Sequence, residues 1–207
     1  MISVIDYGVG NVASIVSAYR KLNIPVETAS YPGDLKNNRH VVLPGVGAFD
    51  NAMEKLKERG FIEPLSKLVL GKEINILGIC VGLQMMGFQS EESPGTKGLG
   101  WLNANSRILK SQNLSRDIQL PHMGWNIALQ KKDCPLLRNL ESKEFYFLHS
   151  YAFESDNSDL VSSESFYGNN FISTVSSQNI FGTQFHPEKS HKQGLEILRN
   201  FVETDLC

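Results

Sequence analysis

Cysteine is scarce in this chain: there are three cysteines among 207 residues, and none belongs to a CxxC pair. Three isolated cysteines do not make the paired framework of a small disulfide-rich protein. A chain of this length also buries enough surface to fold without disulfides or a structural metal. The scarcity therefore predicts a reducing, cytoplasmic setting in which one thiol is free for catalysis. The candidates are Cys80, Cys134 and Cys207.

Excess positive charge and long apolar runs are also missing. The formal net charge is −2, so there is no basic footprint for a nucleic acid. A membrane-spanning helix needs an apolar stretch of roughly 18 residues or more, and the sequence has none. The first residues, MISVIDYGVGN, have no basic region and predict a strand and a turn rather than a signal peptide. We expect neither a nucleic-acid nor a membrane partner.

A dinucleotide-binding fingerprint is incomplete as well. Gly8 and Gly10 lack the third spaced glycine, and no acidic residue stands where it would hold a ribose. We therefore expect no cofactor and no metal. No linker, repeat or low-complexity stretch interrupts the chain, so a single domain is expected over residues 1–207.

Short apolar runs alternate with helical patterns in the first half of the chain. The runs predict strands at residues 2–6, 26–29, 41–43 and 74–79. Apolar residues at helical spacing predict helices at residues 11–22, 49–56 and 193–202. Between residues 101 and 185, β-rich runs such as 145–151 and 171–175 are separated by Ser, Asn and Gly clusters. The expected fold class is α/β, with a central, mostly parallel sheet flanked by helices and added antiparallel strands in the second half.

The motif GICVG at residues 78–82 places Cys80 between a buried strand and an apolar helical segment. This is the pattern of a nucleophile elbow, in which small residues flank the nucleophile because the turn is tight. A cysteine at the start of a helix is favoured as the thiolate, and the N–H of Val81 would face an oxyanion formed at Cys80. The alternative is a buried structural thiol.

A thiolate nucleophile needs a base and a group that orients the base. Of the five histidines, His186 is followed two positions later by Glu188, with Pro187 stiffening the link. The carboxylate can accept a hydrogen bond from one ring nitrogen and leave the other for the thiol. A structural loop remains the alternative for this tripeptide taken alone.

The segment LPGVG at residues 43–47 follows a predicted strand. Gly45 and Gly47 leave the peptide units around Val46 free to turn, so a backbone N–H can face an oxyanion. A plain turn between strand and helix is the alternative.

With these motifs in place, the sequence resembles the class I, triad-type glutamine amidotransferases, and among them the glutaminase subunits of imidazole glycerol phosphate synthase. The resemblance runs almost from end to end. It is carried by IDYGVGN at 5–11, LPGVGAF at 43–49, GICVGLQ at 78–84, PHMGWN at 121–126, HSY at 149–151 and GTQFHPEKS at 182–190.

The resemblance implies a Cys-His-Glu triad that hydrolyses L-glutamine to glutamate and ammonia through a glutamyl thioester. Cys80, His186 and Glu188 would form the triad. The same resemblance implies an oxyanion site and a pocket that binds glutamine. The oxyanion site would comprise Val46, Gly47 and Val81, and the pocket Gly45, Gln84, Glu92 and Ser150. In this family the loop around Val46 is thought to be misaligned until the partner binds its own substrate.

The resemblance also implies a partner, a (β/α)₈-barrel cyclase that receives ammonia across the interface and makes imidazole glycerol phosphate and an aminoimidazole carboxamide ribotide. Four positions match residues that dock this partner: Asn11, Trp125, Tyr146 and Lys189. Trp125 would either gate the ammonia path or pack the interface.

Three segments depart from the histidine-pathway pattern, MMGFQSEE at 85–92, GLGWLNA at 98–104 and SHK at 190–192. They resemble a paralogous branch whose glutaminases supply ammonia for amidination of bacterial surface sugars. Two further classes, a thiol hydrolase without a partner and a pseudo-glutaminase scaffold, fit the sequence less well. The first does not explain PHMGWN, and the second predicts the loss of a triad residue.

Overall fold

The structure is a computed structural model that describes residues 1–35, 38–111 and 118–205, so Cys207 and the part of the β-rich region at 112–117 lie outside the described residues. The described residues form twelve strands and five α-helices. The strands are β1 (Ile2–Ile5), β2 (Val26–Ala29), β3 (His40–Gly45), β4 (Asn75–Cys80), β5 (Asn105–Ile108), β6 (His122–Ile127), β7 (Leu129–Gln130), β8 (Glu144–His149), β9 (Tyr151–Glu154), β10 (Val161–Tyr167), β11 (Asn169–Ser177) and β12 (Ile180–Thr183). The helices are α1 (Val12–Lys21), α2 (Phe49–Glu58), α3 (Ile62–Leu70), α4 (Val81–Met85) and α5 (His191–Val202).

Five parallel strands, in the order β2-β1-β3-β4-β12, make the centre of the main sheet. Every residue of β1 and β4 is buried, as expected for strands covered on both faces. The register pairs Gly45 of β3 with Cys80 of β4, and Thr183 of β12 with Ile79. The carboxyl ends of these three strands therefore lie side by side, and the segments that follow them meet at one edge of the sheet.

Antiparallel strands extend the sheet beyond β12. β11, β10 and β7 follow in order, β9 pairs with β11, and β5 pairs with β9. β6 and β8 form a separate two-stranded ribbon. The run predicted at 145–151 is divided at Ser150, where β8 has ended and β9 has not begun. The expected class, α/β with a parallel centre and antiparallel strands in the second half, is confirmed.

Three predicted helices occur as α1, α2 and α5, whereas α3 was not predicted. Pro64 lies in the first turn of α3, where its missing N–H has no partner to lose. In α5 the fully buried side chains are Ile197, Leu198 and Phe201, while the apolar residues Leu195 and Val202 are only partly buried. None of the described helices is long and apolar enough to cross a membrane.

Candidate active site

Cys80 occupies a strained turn between β4 and α4. Its φ and ψ are 55° and −112°, a combination that residues with a side chain rarely adopt. The flanking glycines are needed for packing. A Cβ at Gly78 would lie 2.7 Å from the Leu83 nitrogen, and one at Gly82 would collide with the carbonyl oxygen of Leu43. The sequence GICVG therefore fits a nucleophile elbow in its backbone as well as in its pattern.

His186 and Glu188 form a buried pair beside the elbow. Nδ1 of His186 lies 2.9 Å from Oε1 of Glu188, and the two side chains are 2% and 1% exposed. Burial lowers the pKa of His186, but the negative charge of the Cys80 sulfur, a hydrogen bond with it and the Glu188 carboxylate together raise that pKa to about 10. The surroundings thus favour a proton on the imidazole.

Two further groups approach the sulfur of Cys80. Nε2 of Gln184 lies 3.6 Å from Sγ, and the carbonyl oxygen of Leu148 lies 3.8 Å from it. Gln184 is completely buried. No role for Gln184 was predicted from the sequence, because its approach to Cys80 depends on the pairing of β12 with β4.

A cavity of about 370 Å³ opens over Cys80. Its volume suits a small-molecule ligand. The lining brings together residues that are far apart in the sequence: Val46, Gly47, Cys80, Val81, Gln84, Glu92, Ser150, His186 and Lys189. Two of the proposed site residues lie elsewhere. Glu188 lies behind His186, and Gly45 packs against the backbone of Val81 and Gly82, where a Cβ would not fit.

The polar residues of the cavity are fixed by the surrounding structure. Nε2 of Gln84 donates to the carbonyl oxygen of Tyr151 at 2.8 Å and to Oε1 of Gln184 at 3.1 Å. Both of its hydrogens are thereby used, which leaves its oxygen as an acceptor. Oε2 of Glu92 accepts from the backbone N–H of Phe49 at 2.9 Å, which holds this carboxylate at the start of α2.

The strand that precedes Val46, β3, is held by the IDYGVGN segment. The completely buried Tyr7 donates its hydroxyl hydrogen to the carbonyl oxygen of Pro44 at 2.7 Å. Burial, and then the charge of Cys80, raises the pKa of Tyr7, so the phenol remains a donor. Beyond this anchor, Val46 is 37% exposed and Gly47 has a φ of 79°.

A pair of buried histidines forms the wall beside Tyr151. Nδ1 of His149 lies 2.9 Å from the Tyr151 carbonyl oxygen, and its Nε2 lies 3.0 Å from Nδ1 of His122. Because a carbonyl only accepts, His149 carries its proton on Nδ1 and accepts from His122. Burial lowers the pKa of His149 to about 3 and that of His122 to about 4. Both rings are therefore neutral at ordinary pH. The sequence analysis assigned neither of them a role.

The residues expected at a partner interface lie around the β6–β8 ribbon. Trp125 is 44% exposed and stacks on His191, with ring centroids 5.0 Å apart. Nζ of Lys189 lies 5.8 Å from the ring centroid of Tyr146, and the rings of Trp125 and Tyr146 meet at an interplanar angle of 73°. Asn11 immediately precedes α1, which packs against α5 and the turn Pro187–Lys189.

The chain is similar to known proteins in both sequence and fold. Residues 3–204 match the family described as glutamine amidotransferase class-I. The protein named imidazole glycerol phosphate synthase subunit HisH from Leptospira interrogans is 43% identical over 204 residues, an alignment that covers 98% of this chain and 99% of the relative. The subunit of the same name from Bdellovibrio bacteriovorus is 42% identical, with 98% and 100% covered. A crystal structure described as a glutamine amidotransferase has the same fold, with a TM-score of 0.75, 18% identity, and coverage of 98% and 97%.

Proposed function

Because the chain belongs to the class I glutamine amidotransferase family, we propose that it is the glutaminase subunit of an imidazole glycerol phosphate synthase, acting in histidine biosynthesis. It hydrolyses L-glutamine to glutamate and ammonia and acts as a single glutaminase domain in the cytoplasm. The observation that carries the catalytic assignment is the strained Cys80 beside the buried His186–Glu188 pair.

The chemistry follows from the positions of these groups. The Cys80 sulfur attacks the side-chain carboxamide carbon of glutamine, and the oxyanion that forms is held by the N–H groups of Val81 and Val46. Protonated His186 gives its proton to the departing ammonia as the C–N bond breaks. A water molecule, deprotonated by His186, then attacks the thioester, which releases glutamate and restores the thiolate. Glu188 holds the imidazole in the required orientation throughout.

Substrate recognition is assigned to the fixed polar groups of the cavity. The Glu92 carboxylate suits the α-ammonium of glutamine, and the oxygen of Gln84 is available to accept a hydrogen bond from the same amino acid. Ser150, in the break between β8 and β9, lies at the wall of the same cavity. The cavity volume of about 370 Å³ suits a small molecule such as glutamine.

The partner is a cyclase-type (β/α)₈ barrel that docks on the face formed by Asn11, Trp125, Tyr146 and Lys189. Exposed apolar side chains support this assignment, since Met123, Trp125 and Ile127 alternate along β6 and are 66%, 44% and 53% exposed. Lys189 lies both at this face and in the wall of the cavity, so ammonia formed at Cys80 leaves beside the docked partner. A passage closed to water keeps ammonia from being lost as ammonium.

Packing is the role proposed for Trp125. Its ring stacks on His191, and it is not among the described residues that line the cavity. The alternative ammonia acceptor, a bacterial surface sugar, is not favoured, because relatives that match almost the whole chain are named as subunits of the histidine-pathway synthase.

Trapping the thioester tests the proposed chemistry. The chain, bound to the cyclase subunit of the Leptospira interrogans synthase, is mixed with glutamine and quenched in acid, and its peptides are analysed by mass spectrometry. A glutamyl adduct is expected on the peptide that contains Cys80 and on no other. Turnover without such an adduct would contradict the covalent route.

A further inference from the structure

Two buried side-chain amides, those of Gln84 and Gln184, connect the cavity to the Cys80 sulfur by hydrogen bonds. Gln84 donates to the carbonyl oxygen of Tyr151 and to Oε1 of Gln184, and Nε2 of Gln184 faces Sγ of Cys80. Gln184 is completely buried and Gln84 is 2% exposed, so water does not compete for these bonds. Neither the triad nor the oxyanion site uses Gln184.

The backbone of Tyr151 fixes which end of each amide faces which neighbour. A carbonyl oxygen only accepts hydrogen bonds, so the atom of Gln84 that faces it is the nitrogen. The second hydrogen of that nitrogen goes to Gln184, which must present its oxygen. The NH₂ group of Gln184 therefore points at the sulfur.

The backbone after β12 explains why the side chain reaches the sulfur. The chain bends at Gln184 and Phe185, directly after β12, and the side chains of Gln184 and His186 both reach the Cys80 sulfur. Phe185, between them, points the other way into the core, where it stacks on Phe145 with centroids 3.9 Å apart. The order Gln-Phe-His thus brings one neutral donor and one base to the same thiol.

The two neighbours of the sulfur favour different protonation states. The carbonyl oxygen of Leu148 can accept only from a protonated thiol, whereas Gln184 donates and is most favourable toward a negative sulfur. An N–H donor that is bonded to the charged form stabilises that form.

We propose that Gln184 is a catalytic residue, which donates a hydrogen bond to the Cys80 thiolate and is oriented for this purpose by Gln84. Gln84 then has two roles. It offers its oxygen to the substrate and its nitrogen to Gln184, so that binding and the activation of the nucleophile share one side chain. This inference rests on the proposed function for its catalytic consequence, but the state of the thiol can be measured without substrate.

The test is the pH dependence of Cys80 alkylation by iodoacetamide, with Cys80→Ala as the background for the other cysteines. Gln184→Met keeps the length of the side chain and removes the donor. We expect the apparent pKa of the thiol to rise by about one to two units, because the thiolate loses a hydrogen bond that stabilises it. In the complex with the cyclase subunit, kcat for glutamine hydrolysis should fall about tenfold or more.

Two companion variants separate this role from a structural one. Gln84→Met keeps the NH₂ donor of Gln184 but removes the hydrogen bond that orients it. It should therefore raise the pKa of the thiol less than Gln184→Met does. Gln130→Met makes the same chemical change at an exposed position of β7 and should leave both the thiol pKa and kcat unchanged. Thermal melts show whether each variant is folded.

The outcomes distinguish the inference from the function on which it rests. A folded Gln184→Met protein with the wild-type alkylation profile and the wild-type kcat overturns the role of Gln184. If the alkylation profile shifts but the wild-type complex releases no glutamate, the glutaminase assignment fails while the hydrogen bond to the thiolate stands.

Discussion

His186 and Glu188 lie on either side of Pro187, and their side chains meet at 2.9 Å with almost no exposure to solvent. Pro187 begins a short 3₁₀ turn, which folds the chain back so that residues two apart can bond. The contact occupies Nδ1 of the imidazole and leaves Nε2 for the thiol. The orientation of the imidazole is therefore fixed by three consecutive residues.

Glu188→Gln removes the charge of the orienting group and keeps its size. We expect kcat for glutamine hydrolysis to fall by about 10²–10⁴, as when the acid of a comparable triad is made neutral. The pKa of His186, raised to about 10 by Cys80 and Glu188 against the effect of burial, should fall. An NMR titration of His186 measures this: the wild-type ring stays protonated well above pH 7, and the ring of the variant loses its proton at lower pH.

The matched control is Glu141→Gln, which neutralises a carboxylate that is 72% exposed in an ion pair with Lys192. It should change neither kcat nor the titration of His186. An unchanged His186 titration in Glu188→Gln would contradict the assigned electrostatics.

Gly82→Ala tests the packing of the elbow. A methyl group at Gly82 would collide with the carbonyl oxygen of Leu43, which belongs to a buried strand and cannot move freely. We expect the free energy of unfolding to fall by about 1–3 kcal/mol, the usual cost of overpacking a core. Gly33→Ala is the control, because a Cβ there meets nothing within 4 Å and the residue is exposed. Equal melting temperatures for the two variants would show that the elbow is not tightly packed.

The buried histidine pair predicts a loss of stability in mild acid. The pKa values of His122 and His149 in the folded chain are lowered to about 4 and about 3. Below pH 6.5 both histidines therefore take up protons in the unfolded chain while they stay neutral in the folded chain. The stability that the neutral pair contributes is complete above about pH 6.5 and is lost as the pH falls through about 4 and toward 3. His122→Gln should reduce the slope of the melting temperature between pH 6.5 and pH 4.5.

His191→Gln serves as the control for that slope, since His191 is exposed. It should follow the wild-type curve. A His122→Gln protein that follows the same curve would show that the pair does not resist protonation.

Trp125→Ala tests the docking face. Truncation of an aromatic residue at the centre of an interface commonly costs about 2 kcal/mol or more, so we expect the Kd for the cyclase subunit to rise at least about 30-fold. The melting temperature of the free chain should change little, because Trp125 is 44% exposed.

Leu70→Ala is the matched control. Leu70 is 63% exposed at the end of α3, near the start of β4 and thus at the opposite edge of the sheet from the cavity. Its loss should leave the Kd unchanged. Equal effects of the two substitutions on the Kd would place the interface elsewhere.

Local patterns predicted the fold class and the residues for which short motifs exist. The flanking glycines point to Cys80 as the candidate nucleophile, and the spacing points to His186 and Glu188 as its candidate partners, because each motif lies within a few consecutive residues. The parallel centre of the sheet was predictable for a similar reason, since alternating strands and helices restrict the topology.

The residues that were not predicted depend on the register of distant strands. Gln184 meets Gln84 and Cys80 only because β12 pairs with β4, and His149 meets His122 only because β8 pairs with β6. No pattern within a short stretch of the sequence predicts these contacts. The helix α3 was missed for a different reason, since Pro64 is typical of a helix interruption unless the position of the first turn is known.

The proposed role of Cys80 in producing ammonia is measured most directly by glutamate release. The wild-type chain and Cys80→Ala are assayed with glutamine, alone and with the cyclase subunit of the Leptospira interrogans synthase and its nucleotide ligand. We predict that glutamate release requires Cys80 and rises sharply when the cyclase subunit and its ligand are added. Equal rates for the wild type and Cys80→Ala would contradict the catalytic assignment.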